Sequence, residues 1–318
     1  MSAPSNGRAG SAASDGRARV PDDRRDSYYG MPVINPPVWE EREIAGYLFL
    51  GGLAGASSLL AAVAEATDRP RLAQRSGLCA SGAIALSFAA LIKDLGRPER
   101  FVNMLRVFKP TSPMNIGTWI LTVYGPLNFG SSASRLTGRL RGLGRLAGVG
   151  AGATGTLVST YTGALIADTA VPAWHEGHRE LPFLFASSAA IAAGGAGLML
   201  APRSENSPAW RLALLGGVGE LIVGQLYERR LRPVKDALDT GRAGRRMQLA
   251  KALTATGVVS AGLLGRRSRT VAVASGAAMV AASALTRFGI FAAGMQSAED
   301  PRYTVEPQLA RRRAGGAR

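Results

Sequence analysis

Cysteine and histidine are nearly missing from this chain, and their scarcity removes most of the chemistry that a redox or hydrolytic protein carries in its own side chains. Among 318 residues there is one cysteine, Cys79, inside an apolar run. Neither a disulfide nor a cysteine-ligated metal or iron–sulfur site can therefore form within the chain. The two histidines, His175 and His178, lie three apart in one stretch outside every long apolar segment. A membrane haem held by two histidines needs axial ligands inside spanning segments, so that class is excluded. No Cys or third His stands beside the pair to complete a metal site. The sequence also lacks a phosphate-cradling glycine loop and a recognisable Ser/His/Asp set. A signal-peptide core is not seen in the first 43 residues, which are polar and carry six Arg and seven acids.

What the chain has in abundance is apolar length. Hydrophobic residues make up 47% of it, charged residues only 19%, and there are 40 glycines. A bilayer core requires roughly 20 apolar residues per helix. Segments of about that length recur at 44–64, 74–92, 116–133, 147–167, 182–201, 212–227, 249–265 and 270–292. The pattern predicts an all-α polytopic membrane protein of about eight transmembrane helices. Residues 1–35 read as a disordered polar tail, 36–295 as the transmembrane domain and 296–318 as a polar C-terminal tail. Small residues dominate the segments, for example Gly51 and Gly55 in the first and Gly148 and Gly152 in the fourth. Lipid supplies no hydrophobic drive between helices, so close packing through small residues predicts a compact bundle.

The net charge of +16 resides between the apolar segments rather than in a soluble block. That is the distribution of membrane-surface loops, not of a nucleic-acid-binding face. Loops alternate in kind. Short ones at 65–73, 134–146, 202–211 and 266–269 carry, out to the helix ends, twelve Lys/Arg and three acids. The longer ones at 93–115, 168–181 and 228–248 carry fourteen Lys/Arg and eight acids when counted the same way. The positive-inside rule places the short loops in the cytoplasm. An even number of spans then places both termini and the long loops on the non-cytoplasmic side of a bacterial inner membrane.

Away from the segment ends, two charges fall within the segments, Glu220 in the sixth and Arg287 in the eighth. Each costs at least ~2.5 kcal/mol at a helix centre on insertion scales, so each calls for a role or a partner. They fit either a mutual structural pair or, for Glu220, a proton-handling site. Polar residues also gather at helix ends on the long-loop side: Glu43 and Tyr47, Lys93 and Asp94, Tyr161 and Asp168, Tyr227 and Glu228. Any one Tyr there fits an interfacial aromatic belt. Together they define a candidate pocket for a polar, redox-active headgroup.

The stretch 93–119, KDLGRPERFVNMLRVFKPTSPMNIGTW, resembles the signature of the NrfD/PsrC family, the membrane subunits of polysulfide-reductase-type molybdopterin complexes. YLFLGGLAGA at 47–56, YTGALIADTAVPAWHEGHRELPFLF at 161–185 and DPRYTVEPQ at 300–308 agree, so the resemblance spans roughly residues 30–308. Within the signature, Pro110 and Pro113 stiffen the approach to the third segment, and Asn115 is placed to N-cap it. The resemblance implies a subunit that exchanges electrons between a membrane quinone, menaquinone or ubiquinone, and a ferredoxin-like iron–sulfur subunit. That partner is wired in turn to a molybdopterin-type catalytic subunit. It implies no permanent cofactor, consistent with the scarcity of His and Cys. The quinone-site positions map onto Tyr47 and Tyr161. Where the family's best-known site has a His and an Asn on the first helix, this chain has Tyr47 and, a turn earlier, Ile44 beside Glu43.

The expected quinone-binding set is thus Tyr47, Glu43, Asp94, Tyr161 and Arg287. Glu220 and Asp168 are the expected proton-handling catalytic groups. Lys93, Arg97 and Arg100 form the expected docking surface. The competing reading is a proton-coupled transporter or channel with Glu220 as coupling site. Transporters often show proline-broken spans and inverted repeats, whereas here only Pro126 interrupts a segment and no convincing repeat is visible.

Overall fold

In lipid every backbone N–H and C=O must be satisfied within the protein, so long apolar runs fold as helices. The computed structural model describes residues 34–35, 37, 39–95, 103–231 and 234–306. Among these, all regular structure is helical. The helices are α1 (Glu41–Ala66), α2 (Pro70–Leu95), α3 (Pro113–Thr137), α4 (Arg141–Ala167), the short α5 (Pro172–His175), α6 (Leu181–Leu200), α7 (Ser207–Arg230), the short α8 (Asp236–Asp239), α9 (Gly241–Leu263) and α10 (Arg269–Glu299). The eight long ones coincide with the eight apolar segments. By length and composition, α1, α2 to Asp94, α6 and α10 are long and apolar enough to cross a membrane.

Of the remaining long helices, α7 and α9 carry more charge, and α7 places it in keeping with a lipid surround. On α7, Leu215, Val218, Ile222 and Leu226 are exposed while Glu220 is 6% exposed. Apolar outside and acidic inside inverts the arrangement of a water-soluble amphipathic helix. The chain is an all-α polytopic membrane protein.

The long helices form two groups of four. In the first, α1 packs on α2 and α4, and α3 on α4 and α2. In the second, α6 packs on α7 and α10, and α9 on α10 and α7. The groups meet where α1 and α4 contact α6, and where α1 contacts α10. In the first group the backbones of α1 and α4 come close at Gly55 and Gly155. A Cβ on Gly55 would stand 2.2 Å from the Gly155 carbonyl oxygen, and one on Gly155 2.5 Å from that of Gly55. Neither position can hold a larger residue without parting α1 from α4, which is how small residues associate helices in lipid.

Several local features depart from the sequence expectation. Helix α3 begins at Pro113, earlier than expected, and its cap is Ser112, whose Oγ accepts from the Asn115 N–H at 3.5 Å. Proline suits the first helical position because its missing N–H would have no partner there. That moves the cap back from Asn115. Asn115 instead ties down the preceding loop: its Nδ2 donates to the carbonyls of Met104 and Val107, both at 2.8 Å, and its Oδ1 accepts from the Lys109 N–H at 2.7 Å. At the other end of the chain, α10 runs on to Glu299, and Ser297, Ala298 and Tyr303 are buried beyond residue 295.

Side-chain contacts sort the helix ends into two faces. Lys93 at the end of α2 pairs with Glu43 at the start of α1 at 2.5 Å, and Arg246 of α9 pairs with Glu41. Trp174 of α5 donates from Nε1 to the Ile290 carbonyl of α10 at 2.8 Å and stacks on Trp39. The start of α1 and the end of α10 therefore share the long-loop face. On the opposite face, Glu65 of α1 accepts from Arg135 of α3 at 2.7 Å, and Arg269 of α10 donates to the Leu198 carbonyl of α6 at 2.7 Å. If the bundle crosses a membrane, Arg106 and Arg139 stand on opposite sides. Single cysteines placed at these two positions, in a Cys79→Ser background, should react with impermeant reagents from opposite sides; labelling of both from one side would reject this topology.

Candidate functional site

Tyr47 lies six residues into α1, about 9 Å below its start at the helical rise of 1.5 Å per residue. Its neighbours across the bundle are the ends of α2 and α4 and the beginning of α3, because antiparallel helices bring alternate termini to one face. Between these four elements is a cavity with about 730 Å³ of atom-free space. Its polar groups come from Tyr47, Asp94, Thr118 and Tyr161; the other nine lining residues are apolar. Trp39 covers it from the segment entering α1, held by its stacking on Trp174. Met104 approaches from the loop before α3 and Met114 from the first turn of α3. A mostly apolar cleft with a few converging polar groups is the usual form of a small-molecule site.

The tyrosines are coupled. The Tyr47 and Tyr161 hydroxyls are hydrogen-bonded to one another. A phenol has one proton to give, so when one hydroxyl donates to the other, the acceptor keeps its own proton for a ligand. Gly117 makes the Tyr161 pose possible, since a Cβ there would stand 2.3 Å from Cε2 of the Tyr161 ring. Thr118, next in sequence, uses its Oγ1 proton on the Met114 carbonyl at 3.0 Å, which leaves its oxygen to accept. The Tyr47 backbone carbonyl is also engaged, by Ser87 Oγ at 3.2 Å.

The other expected residues lie elsewhere. Glu43 faces α2, where its carboxylate pairs with Lys93, and it does not line the cavity. Asp168 is exposed at the C-terminal end of α4, just past the cavity residues Leu165 and Ile166. Lys93 is 73% exposed on the long-loop face, while Arg97 and Arg100 lie outside the described residues. Tyr227 donates to the Ala173 carbonyl at 3.0 Å and so fastens the 168–180 loop. Arg287 is 1% exposed and belongs to neither cavity wall. It donates to the Phe185 carbonyl at 2.7 Å, lies over the Phe185 ring and reaches toward Gly52 of α1.

Glu220 lines a second cavity, of about 550 Å³, between α7, α9 and α10. Its carboxylate accepts from Thr286 at 2.7 Å and from Thr254 at 3.2 Å, so threonines rather than Arg287 hold it. The cavity follows one face of α7 from Glu220 past Gly224 to Glu228, where Glu228 is paired with Lys251.

Sequence reasoning had no means of finding Met104, Met114, Thr118, Leu121 and Gly117. None is charged, and only the tertiary arrangement turns them toward the tyrosines.

A helical bundle with apolar flanks, buried charges and a mixed cavity at one face defines a multi-pass membrane protein with a candidate small-molecule site. Residues 32–207, more than half of the chain, match the family model described as polysulphide reductase, NrfD. The chain belongs to this family, whose members are membrane subunits of oxidoreductase complexes. The match takes in the whole first group of helices and its cavity and ends at the first residue of α7. Glu220 and Arg287 lie beyond it. No curated protein matches the chain.

Proposed function

We propose that this chain binds a quinone or quinol in the cavity between α1, α2, α3 and α4, and exchanges electrons there with an iron–sulfur subunit docked on the long-loop face. The single observation that carries the reading is the meeting of Tyr47, Tyr161 and Asp94 in one otherwise apolar cavity. When bound, a quinone supplies two-electron, two-proton chemistry that no side chain of this protein offers. The residues present fit such a guest. The free proton of the tyrosine pair is a donor for a carbonyl oxygen, the methionines and leucines form walls for an apolar ring, and Asp94 is placed to take or return a proton. Catalysis by a positioned proton donor contributes ~10²–10⁴-fold, so the tyrosine pair and Asp94 account for the coupled protons.

Lys93, Arg97 and Arg100 supply positive charge for docking the iron–sulfur subunit, itself joined to a molybdopterin-type catalytic subunit. All eight long helices cross the bacterial inner membrane in this reading, with the arginine-rich short loops in the cytoplasm.

The test is chemical extraction of the purified membrane assembly. About one quinone per chain is expected, together with a co-purifying iron–sulfur subunit. Gly117→Val, which drives a side chain into the Tyr161 ring, should strip the quinone. A preparation that contains neither quinone nor iron–sulfur subunit, yet moves protons in liposomes, would favour a transporter coupled through Glu220.

A further inference from the structure

The face opposite the quinone cavity holds a pocket that electron transfer does not use. It lies between the α1–α2 turn and the α3–α4 turn and is open to solvent, with about 1150 Å³ of atom-free space counted out to its mouth. Its charged side chains are Glu65, Asp68, Arg69, Arg135, Arg141 and Arg145. Four arginines against two carboxylates leave a positive surplus.

The arginines are not equally committed. Arg135, whose side chain is 14% exposed, gives both Nε and Nη2 to Glu65 Oε2, at 3.2 and 2.7 Å. That pair neutralises itself. Arg145, 74% exposed, reaches the same carboxylate only at 3.6 Å. Arg69 donates from Nη1 to the Ser204 carbonyl at 3.4 Å, and its buried Nε has no partner among the described residues. Arg141 makes no ion pair among them. Donors remain for an anion that the protein itself does not provide.

A second hollow adjoins this one and shares Ser134 and Gly144 with it. It is a groove between α3 and α4 whose deepest residue on α3, Gly130, lies four residues before Ser134, about 6 Å at the helical rise. Ala133, Leu140, Leu143 and Ala147 give it apolar walls, with Thr137 and Arg139 also lining it. A charged pocket beside an apolar groove, the two meeting at the packed residues Ser134 and Gly144, offers the two halves of an amphiphile's polarity. Basic pockets between membrane helices are known to take anionic lipid headgroups.

We propose that this is a binding site for an anionic phospholipid, its phosphate among Arg69, Arg141 and Arg145 and one acyl chain along the α3–α4 groove. A zwitterionic headgroup brings its own ammonium to an already positive pocket and is disfavoured. Inorganic phosphate satisfies the arginines but leaves the groove unused.

Native mass spectrometry of the full chain, purified in its membrane assembly, reads the site directly. Phosphatidylglycerol should be retained at least tenfold over phosphatidylcholine. R141Q/R145Q, at two exposed positions whose loss does not threaten the fold, should abolish that preference. Gly130→Leu should weaken phosphatidylglycerol retention with the arginines intact, because space around Gly130 is open and the leucine fills the groove. Equal retention of the two lipids, an unchanged preference in R141Q/R145Q, or full retention in Gly130→Leu would overturn the proposal. So would displacement of the lipid by millimolar inorganic phosphate, which would mark a site for a soluble anion.

Discussion

Tyr161→Phe is expected to lower quinone-linked turnover by about 100-fold, the lower end of the range for losing a positioned proton donor, while the complex stays assembled. The phenylalanine keeps the ring that Gly117 accommodates, so the cavity wall survives. What goes is the hydroxyl shared with Tyr47. Tyr47→Phe removes the other half of the pair and should act in the same direction. The two losses should be far from additive, since either substitution breaks the same bond. Tyr124 provides the comparison. Its hydroxyl is buried and bonded to Ser58 at 2.8 Å, outside the cavity lining. Tyr124→Phe should leave turnover within a few-fold of normal, because a buried hydrogen bond between neutral groups is worth only about 1 kcal/mol. Full activity in both Tyr161→Phe and Tyr47→Phe would remove the phenols from the site.

Glu220→Gln separates two roles for the acid in the second group of helices. If Glu220 carries protons, the variant should fold and bind quinone normally, yet slow proton-coupled turnover about 100-fold. If Glu220 is instead the counter-charge for Arg287, removing it strands a buried guanidinium at a cost of about 3–5 kcal/mol. Folded protein should then be scarce, and Arg287→Gln should behave alike. The contacts favour the protonic role. Threonines 254 and 286 supply the hydrogen bonds to the carboxylate, while Arg287 gives Nη2 to the Phe185 carbonyl and lies over its ring, its Nε and Nη1 having no hydrogen-bond partner among the described residues. The cavity along α7 also leads from Glu220 toward Glu228 on the long-loop face, ten residues of helix separating Glu220 from Arg230 at the end of α7, about 15 Å. Stable protein with normal turnover at every pH tested would assign Glu220 neither role.

The position and number of long helices were legible because uninterrupted apolar length is a local property, and lipid leaves the backbone no alternative to the helix. Helix ends were less so. Pro113 moved the start of α3 ahead of Asn115, and buried Ser297 and Ala298 carried α10 past the apparent end of its apolar run. Part of the candidate site was legible for a topological reason: in an up-and-down bundle the start of α1 and the ends of α2 and α4 must share a face, so Tyr47, Asp94 and Tyr161 were neighbours before any contact was known. Glu43 and Asp168 satisfied the same condition and still lie outside the cavity, because sharing a face does not say which way a side chain turns.

By itself, the sequence determined that this is a helical membrane protein, that it has almost no metal or haem ligands of its own within its apolar segments, and that its family signature lies between the second and third long helices. Each of these rests on composition or on contiguous residues. Tertiary structure alone decided that the helices divide into two groups of four, that Gly117 makes room for Tyr161, that threonines rather than Arg287 hydrogen-bond Glu220, and that Arg69, Arg141 and Arg145 line one pocket between the α1–α2 and α3–α4 turns. All four depend on which helix faces which, and that is settled by backbone approach at pairs such as Gly55 and Gly155, a fit between surfaces 100 residues apart that no local pattern encodes.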